Sequence, residues 1–164
     1  MKLSTRAVYG LRALIDLGMN SETDAVSLQT IALRQNLSVS YLEQLIAKLR
    51  KAGLVTSSRG VTGGYRLARD PKEISVGDVL RVLEGDLNAV KCPGTAGETT
   101  CTGKEPEGGC QGADLCVAKF VWQRINDSIN NAVDTMMLSD LIDESRKVHG
   151  TETANEILEG GHIE

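Results

Sequence analysis

The 164-residue sequence predicts a mainly α-helical fold with one small β-hairpin. Three observations lead to this prediction. Apolar residues recur with the helical period through most of the first half of the chain. The glycine pair at 63–64 lies between two short alternating segments, as in a hairpin. A long helical pattern returns after residue 113, beyond a glycine-rich loop that has no apolar periodicity of its own.

Three helices are expected before the hairpin. Ser4 can cap a helix over about 4–20, and Ser27 can cap a shorter second helix. A turn at 36–38 leads to a third helix that ends at Gly53, a C′ residue. The periodicity predicts a buried face on this third helix, made of Leu42, Leu45, Ile46 and Leu49. It predicts an outer side made of Ser40, Tyr41, Glu43, Gln44, Lys48, Arg50 and Lys51.

A winged helix-turn-helix unit consists of two helices joined by a sharp turn and followed by a hairpin. We expect this unit over 1–84, together with a linker helix that Ser75 caps. The outer side of the third helix carries groups that suit DNA. Gln44 can pair with adenine, Glu43 with the cytosine amino group and Ser40 with several base edges, while Arg50 and Lys51 can bind phosphates. In the hairpin, Arg59 suits a narrow minor groove, which the glycines Gly60, Gly63 and Gly64 would allow the tip to enter. The alternative is an ordinary surface helix and hairpin.

The distribution of charge also favours nucleic acid. Residues 1–75 carry eleven Lys and Arg against six Asp and Glu, a net charge of +5, whereas residues 76–164 carry seven against sixteen, a net charge of −9. Phosphates require cationic partners, so the basic first half is the expected DNA-binding half. An uneven solvated surface would give the same pattern.

All four cysteines fall between residues 92 and 116, in a loop assigned to 85–112 and the start of the next helix: Cys92, Cys101, Cys110 and Cys116. We find neither a signal peptide nor a membrane span and expect a cytoplasmic protein. In a reducing compartment, clustered thiols indicate a metal or redox site rather than structural disulfides. An enzyme is not expected, because no histidine lies near these thiols in the sequence.

A long helix is predicted over about 114–136, and the segment assigned to 113–148 contains this dimerisation helix and a short following helix. Its apolar stripe consists of Val117, Phe120, Val121, Ile125, Ser128, Ile129, Ala132, Val133 and Met136. A chain this small cannot easily bury such a stripe, so we expect a homodimer formed through this helix, which would present two recognition helices to a palindromic operator. Packing within the chain is the alternative. Residues 149–164 are expected to be a disordered polar tail.

The segments SVSYLEQLIAKLRKAGLVTSSRGVTGGYRL, ISVGDVL and GGCQGADLCVAKFVW resemble, in order and spacing, the family of the iron–sulfur cluster regulator IscR and its winged-helix relatives. The resemblance covers about residues 1–145 and implies a dimeric DNA-binding repressor that responds to a cluster. It implies DNA contacts from Ser38, Ser40, Tyr41 and Gln44. It further implies that Glu43 distinguishes operator classes and that Arg59 and Gly60 act in the wing.

The resemblance also implies a cluster bound by Cys92, Cys110 and Cys116, of the [2Fe–2S] type or, alternatively, [4Fe–4S]. The family histidine three residues after the last cysteine is replaced here by Lys119, and a carboxylate used by some relatives near position 8 is replaced by Val8. Cys101, in an insertion, is then the expected fourth ligand. Structural zinc, and a thiol switch without a cofactor, remain alternatives, as does an electron carrier, although a carrier would not need the wing.

Overall fold

The computed structural model describes residues 3–21, 24–60, 63–89 and 116–159, with side chains described as far as residue 148. Its elements are α1 Thr5–Asn20, α2 Leu28–Gln35, α3 Val39–Lys51, β1 Val55–Ser58, β2 Gly64–Leu67, α4 Val76–Glu84, α5 Ala118–Asp134 and α6 Leu138–Glu159. A short 3-10 turn, Pro71–Glu73, precedes α4. The predicted fold class, mainly helical with one hairpin, is confirmed.

α1, α2 and α4 begin at the predicted caps Ser4, Ser27 and Ser75, and α3 begins at Ser38, which was not predicted as a cap. The Ser4 hydroxyl accepts a hydrogen bond from the Arg6 amide, Ser27 from Thr30, Ser38 from Tyr41, and Ser75 from Asp78. Asn36 ends α2 in the left-handed region, with φ of 53°. A short polar side chain tolerates this conformation, and it produces the sharp turn into α3 that the sequence predicts.

The hairpin is an antiparallel pair in which Val55 faces Leu67 and Ser58 faces Gly64. It is also attached to the chain that enters α2. The Val26 amide donates to the Tyr65 carbonyl at 2.9 Å, and the Tyr65 amide donates to the Val26 carbonyl at 2.8 Å. We call residues 55–67 the wing. Strand β2 of the wing is therefore hydrogen-bonded to the chain that enters α2.

α1 is the central helix and contacts α2, α3, α4, α6 and β2. The fully buried side chains around it include Leu14, Leu17, Ile31, Leu42, Leu45, Ile46, Leu49, Leu54, Ile74 and Leu138. Leu138 and Ile142 belong to α6, so the beginning of this helix is part of the same core. The segment 113–148, predicted as a dimerisation helix and a short following helix, contains α5 and the beginning of α6, which packs in the core.

The backbone of α6 continues to Glu159, which differs from the disordered tail predicted for 149–164. The added segment, TETANEILE, contains Ala, Glu, Leu and Ile, and most of these residues form helix well. Residues 160–164 lie outside the described part of the chain.

Candidate DNA-binding surface and cysteine segment

The recognition helix α3 separates its apolar and polar residues as predicted. Leu42, Leu45, Ile46 and Leu49 are buried. Ser38, Ser40, Glu43, Gln44, Arg50 and Lys51 are exposed. Because the Ser38 hydroxyl accepts from the Tyr41 amide at 3.2 Å, this side chain both begins the helix and lies at its exposed end. The arrangement leaves hydroxyl, carboxylate and amide groups available along one side of α3.

Tyr41 is an exception to the predicted outer side. Its ring packs edge-on against Tyr9 of α1, with the ring centroids 6.2 Å apart and the planes at 86°. Its hydroxyl oxygen is buried and has no hydrogen-bond partner among the described residues. The physical reason is that position 41 precedes the buried Leu45 by one helical turn and so lies at the edge of the inner face. Tyr41, predicted on the outer side of α3, is instead partly buried and packs against the core.

The C-terminal turn of α3 is cationic. Lys48, Arg50 and Lys51 are exposed there and lie close to the negative end of the helix dipole, where cations are favoured. Among the described residues, no carboxylate forms an ion pair with any of the three. Their ammonium and guanidinium groups are thus available to bind phosphates.

The wing presents Arg59 and Gly60 at its exposed end. Gly60 has φ of 125°, a conformation that favours glycine. Gly63 and Gly64 have a packing role as well, since a Cβ at Gly64 would lie 2.6 Å from the Val26 carbonyl oxygen and one at Gly63 would lie 2.8 Å from that of Ser58. The sequence indicated the glycine pair, but it could not separate this close backbone approach from a contact with DNA.

A buried carboxylate that the sequence analysis missed joins α1 to α2. Asp16 is 4% exposed. Its two oxygens accept from the Arg34 guanidinium, once at 2.9 Å through Nε, and from Gln35 Nε2 at 2.9 Å. The hydrogen bond to Asp16 raises the pKa of Arg34 above its ordinary value. No local signal identifies Asp16, because its partners come 18 and 19 residues later in the sequence.

Only Cys116 of the four cysteines falls within the described residues. It is partly buried, and its carbonyl accepts from the Lys119 amide at 3.3 Å in the turn that begins α5. The Lys119 ammonium lies 5.4 Å from the centroid of the Phe120 ring. Within the described parts of the chain, no three His, Cys, Asp or Glu residues are grouped as a metal site would require. Cys92, Cys101 and Cys110 lie outside them.

The apolar side of α5 is exposed in the single chain. Phe120 is 62% exposed, Val121 52% and Ile125 37%. A groove of about 420 Å³ runs along this side between Val121 and Ile129. Val133 differs from the rest of the predicted stripe, since it packs inward against a small apolar cluster of Ala7, Val76, Leu80 and Leu87. We call the surface formed by Phe120, Val121, Ile125 and Ile129 the α5 apolar face.

Polar side chains connect the inner side of α5 to α4. The Arg81 guanidinium donates to the two Asp134 carboxylate oxygens at 2.6 and 2.9 Å and to Asn130 Oδ1 at 2.7 Å. The hydrogen bonds from Arg81 lower the pKa of Asp134. These hydrogen bonds therefore hold α5 against α4 together with the packing of Val133.

Comparison with known proteins agrees with the winged helix-turn-helix fold described above. Residues 3–144 match the Rrf2 family, described as iron-dependent transcriptional regulators. The HTH-type transcriptional regulator IscR of Enterobacter sp. (strain 638) is 36% identical over 158 residues, which cover 95% of this chain and 90% of the relative. None of the described helices is both long and apolar enough to cross a membrane.

Two solved structures are similar over most of their length. The structure of CymR, the global cysteine regulator of B. subtilis, superposes with a TM-score of 0.69 at 38% identity and covers 88% of this chain and 98% of that one. T. potens IscR superposes with a TM-score of 0.67 at 40% identity and covers 90% of both chains. With its helix-turn-helix, its wing and a family match over most of its length, the chain belongs to the Rrf2 family of DNA-binding transcriptional regulators.

Proposed function

We propose that this regulator is a dimeric repressor whose operator binding responds to an iron–sulfur cluster held by Cys92, Cys101, Cys110 and Cys116. One observation carries the proposal. These four residues are all the cysteines of the chain, and they fall within 25 residues directly before α5. The similarity to proteins named IscR supports it. The site of action is the cytoplasm, where bacterial DNA and reduced thiols are found together.

The donor set suits a cluster better than zinc. Thiolates are the usual ligands of iron–sulfur clusters, and the paired CxxC spacing of structural zinc sites does not occur, since the shortest cysteine separation is from Cys110 to Cys116. A protonated Lys119 is a poor iron ligand, and its ammonium lies over the Phe120 ring. Cys101 is therefore proposed as the fourth ligand. When bound, a cluster of the [2Fe–2S] type, or [4Fe–4S], would supply redox sensitivity.

We assign base reading to the exposed side of α3. Gln44 can pair with adenine, Glu43 with cytosine, and Ser38 and Ser40 with base edges or phosphates. Arg50 and Lys51 are assigned to the phosphate backbone, because each is exposed and has no carboxylate partner among the described residues. Tyr41 is assigned a supporting role through Tyr9.

The wing is proposed to enter the minor groove with Arg59 and Gly60, while Gly63 and Gly64 allow the hairpin to lie close to Val26. Minor-groove potential attracts an arginine without requiring a base-specific contact. Arg59 is therefore expected to contribute affinity and to favour A·T-rich sequence at the outer positions of the operator.

The partner that covers the α5 apolar face is proposed to be a second copy of the chain. Large side chains such as Phe120 are rarely left in one exposed group on a monomer. Pairing about a two-fold axis would bury these side chains and present two α3 helices to a palindromic operator.

A thiol switch without a cofactor is the second candidate. The similarity to B. subtilis CymR, a cysteine regulator, favours it, as does the 35% identity to a Staphylococcus aureus CymR structure described as an oxidised form. Regulators that respond to different chemical signals therefore share this fold. The chemistry of the cysteine segment distinguishes the cluster from the thiol switch.

Purification without oxygen tests the proposal. We expect visible absorbance together with iron and acid-labile sulfide, and operator affinity that changes when the cluster is removed by a chelator under anaerobic conditions. Fully reduced protein that contains neither iron nor sulfide after reconstitution, but changes its operator affinity on thiol oxidation, would identify the thiol switch instead.

A further inference from the structure

Arg12 lies on the exposed side of α1 and contacts the end of α2. Its guanidinium Nε donates to the side-chain oxygen of Gln35 at 3.0 Å, and Gln35 is the last residue of α2. The same guanidinium lies over the ring of Tyr9, 5.6 Å from the ring centroid, within the range of a cation–π interaction. Arg12 is therefore held on two sides, by an amide oxygen and by an aromatic ring.

The Gln35 amide is itself fixed in the orientation that Arg12 requires. Its Nε2 donates to the buried Asp16 carboxylate at 2.9 Å, which leaves the amide oxygen directed at Arg12. Asp16 forms its ion pair with Arg34, so a different cation compensates the charge of this carboxylate. The side chain of Arg12 is thus positioned by its neighbours without being neutralised by Asp16.

Most of the hydrogen-bonding capacity of Arg12 is unused. A guanidinium has five N–H donors, and the contact with Gln35 uses only the one on Nε. Within the described ranges of the chain, no carboxylate forms an ion pair with Arg12 and no acceptor is bound to its two terminal nitrogens. These nitrogens form the planar fork that binds carboxylate and phosphate groups. The side chain is therefore suited to binding an anion at the surface.

The neighbours of Arg12 indicate which anion it meets. The Tyr9 ring packs edge-on against Tyr41, in the first turn of α3, and Gln35 precedes the turn that leads into the same end of α3. In a helix-turn-helix protein, the N-terminal part of the recognition helix contacts base edges in the major groove, and an earlier helix crosses the DNA backbone. Arg12 lies beside that end of α3, where a phosphate at the edge of the groove would pass.

We propose that Arg12 binds a phosphate of the DNA backbone, and that Gln35 and Tyr9 are positioning residues that hold its guanidinium for this contact. The inference rests on the proposed placement of α3 in the major groove. It adds α1 to a DNA-binding surface that the sequence predicted from α3 and the wing alone. A phosphate contact fixes the position of the protein on the duplex and carries no sequence information of its own.

Two substitutions at position 12 test the contact, on an operator selected from random duplexes and on scrambled DNA. Fluorescence anisotropy over a range of salt concentrations gives the affinity and its salt dependence. For each bound chain, Arg12→Ala should weaken binding to both duplexes by about two- to five-fold at fixed salt, and should reduce the slope of log K against log salt by about 0.9. Arg12→Lys should restore the slope, because it keeps the positive charge.

Lys72→Ala is the matched control. It removes one positive charge at an exposed site in the 3-10 turn before α4, a turn that contacts α6. Its affinity and salt slope should equal those of the wild-type protein. Far-ultraviolet circular dichroism establishes that Arg12→Ala is folded. Arg12→Gln removes the charge while keeping most of the side chain over Tyr9, and it gives the same measurement if the alanine variant does not fold.

Duplexes with a single neutral methylphosphonate linkage locate the phosphate. The linkage is moved along each strand of the operator, and every duplex is measured with wild-type protein and with Arg12→Ala. Neutralising the phosphate that Arg12 binds should weaken the wild-type complex and should have no further effect on Arg12→Ala. If every linkage weakens the two proteins equally, the phosphate contact is refuted.

The outcomes separate this inference from the placement of α3. An unchanged salt slope in Arg12→Ala, with Gln44→Ala weakened on the operator alone, would overturn the phosphate contact and leave α3 in the major groove. A reduced slope in Arg12→Ala, with Gln44→Ala unaffected, would support the contact and assign base reading to another element. If both variants bind as the wild type does, the two proposals fail together.

Discussion

Arg34 of α2 donates to both carboxylate oxygens of Asp16, which is buried in α1. Truncation to Asp16→Ala would leave the Arg34 and Gln35 donors without this acceptor. We expect a loss of about 1–3 kcal/mol in the free energy of unfolding, below the value for a fully buried pair because the Arg34 side chain is 36% exposed. Urea unfolding at fixed protein concentration measures it. The exposed Asp24→Ala should change stability by less than about 0.5 kcal/mol, and equal losses would contradict the role of the pair.

Gln44→Ala tests base reading by α3. An operator can first be selected from random duplexes with the wild-type protein. Loss of a bidentate contact to adenine should weaken binding to this operator by about 1–3 kcal/mol and leave binding to scrambled DNA unchanged. Fluorescence anisotropy at one fixed salt concentration compares the two duplexes. The α5 variant Gln123→Ala is the control, and a similar loss on both DNAs would assign Gln44 to the backbone instead.

Phe120→Glu combined with Ile125→Glu tests the dimer. Carboxylates in the middle of the α5 apolar face would have to be desolvated on pairing, so sedimentation equilibrium should give monomers or the protein should become insoluble. Gln123→Glu adds one charge to the exposed polar side of the same helix and should remain dimeric. A soluble double variant with the wild-type dissociation constant would mean that the dimer forms elsewhere.

The cysteine series identifies the fourth ligand. If Cys101 ligates iron, Cys101→Ser should damage the cluster as severely as Cys92→Ser, Cys110→Ser or Cys116→Ser, whereas Lys119→Ala should retain full iron content. Anaerobic reconstitution followed by absorbance and Mössbauer spectroscopy compares the five variants. An unshifted spectrum in Cys101→Ser would leave that residue as a bystander in the loop.

Glu84 provides a pH dependence. The Ser4 hydroxyl, at the N-cap of α1, donates to the Glu84 carboxylate, and this hydrogen bond lowers the pKa of Glu84 from its ordinary value of 4.5. The unfolded chain therefore binds this proton first, so that the stabilisation is complete above pH 4.5 and is lost as the pH falls through the lower folded value. The difference in the free energy of unfolding between wild type and Glu84→Gln should narrow as the pH falls below 4.5.

The sequence predicted most reliably those features that depend on neighbours in the chain. Caps at Ser4, Ser27 and Ser75 require only residues two or three positions away, and the hairpin is indicated by its own glycines. The inner face of α3 followed from its period. These local signals were enough to predict the winged helix-turn-helix unit.

Features that depend on distant partners could not be predicted in this way. Tyr41 packs against Tyr9 of α1, and Asn126 of α5 accepts a hydrogen bond from Ala89 in the segment that follows α4. Both residue types are usually exposed or intermediate, so composition and period gave no indication. The candidate cysteine site was visible as a motif, but its geometry depends on residues outside the described part of the chain.

The two hydrogen bonds between Val26 and Tyr65 have a consequence for the operator. Since strand β2 is hydrogen-bonded to the chain entering α2, the wing that carries Arg59 is held against the helix-turn-helix unit that carries Gln44. If Gln44 reads the major groove and Arg59 the minor groove as proposed, this bracing fixes the spacing that the operator has to provide between the two contacts. Inserting or deleting a single base pair between those contacts should therefore abolish recognition, even where every contacted base is kept.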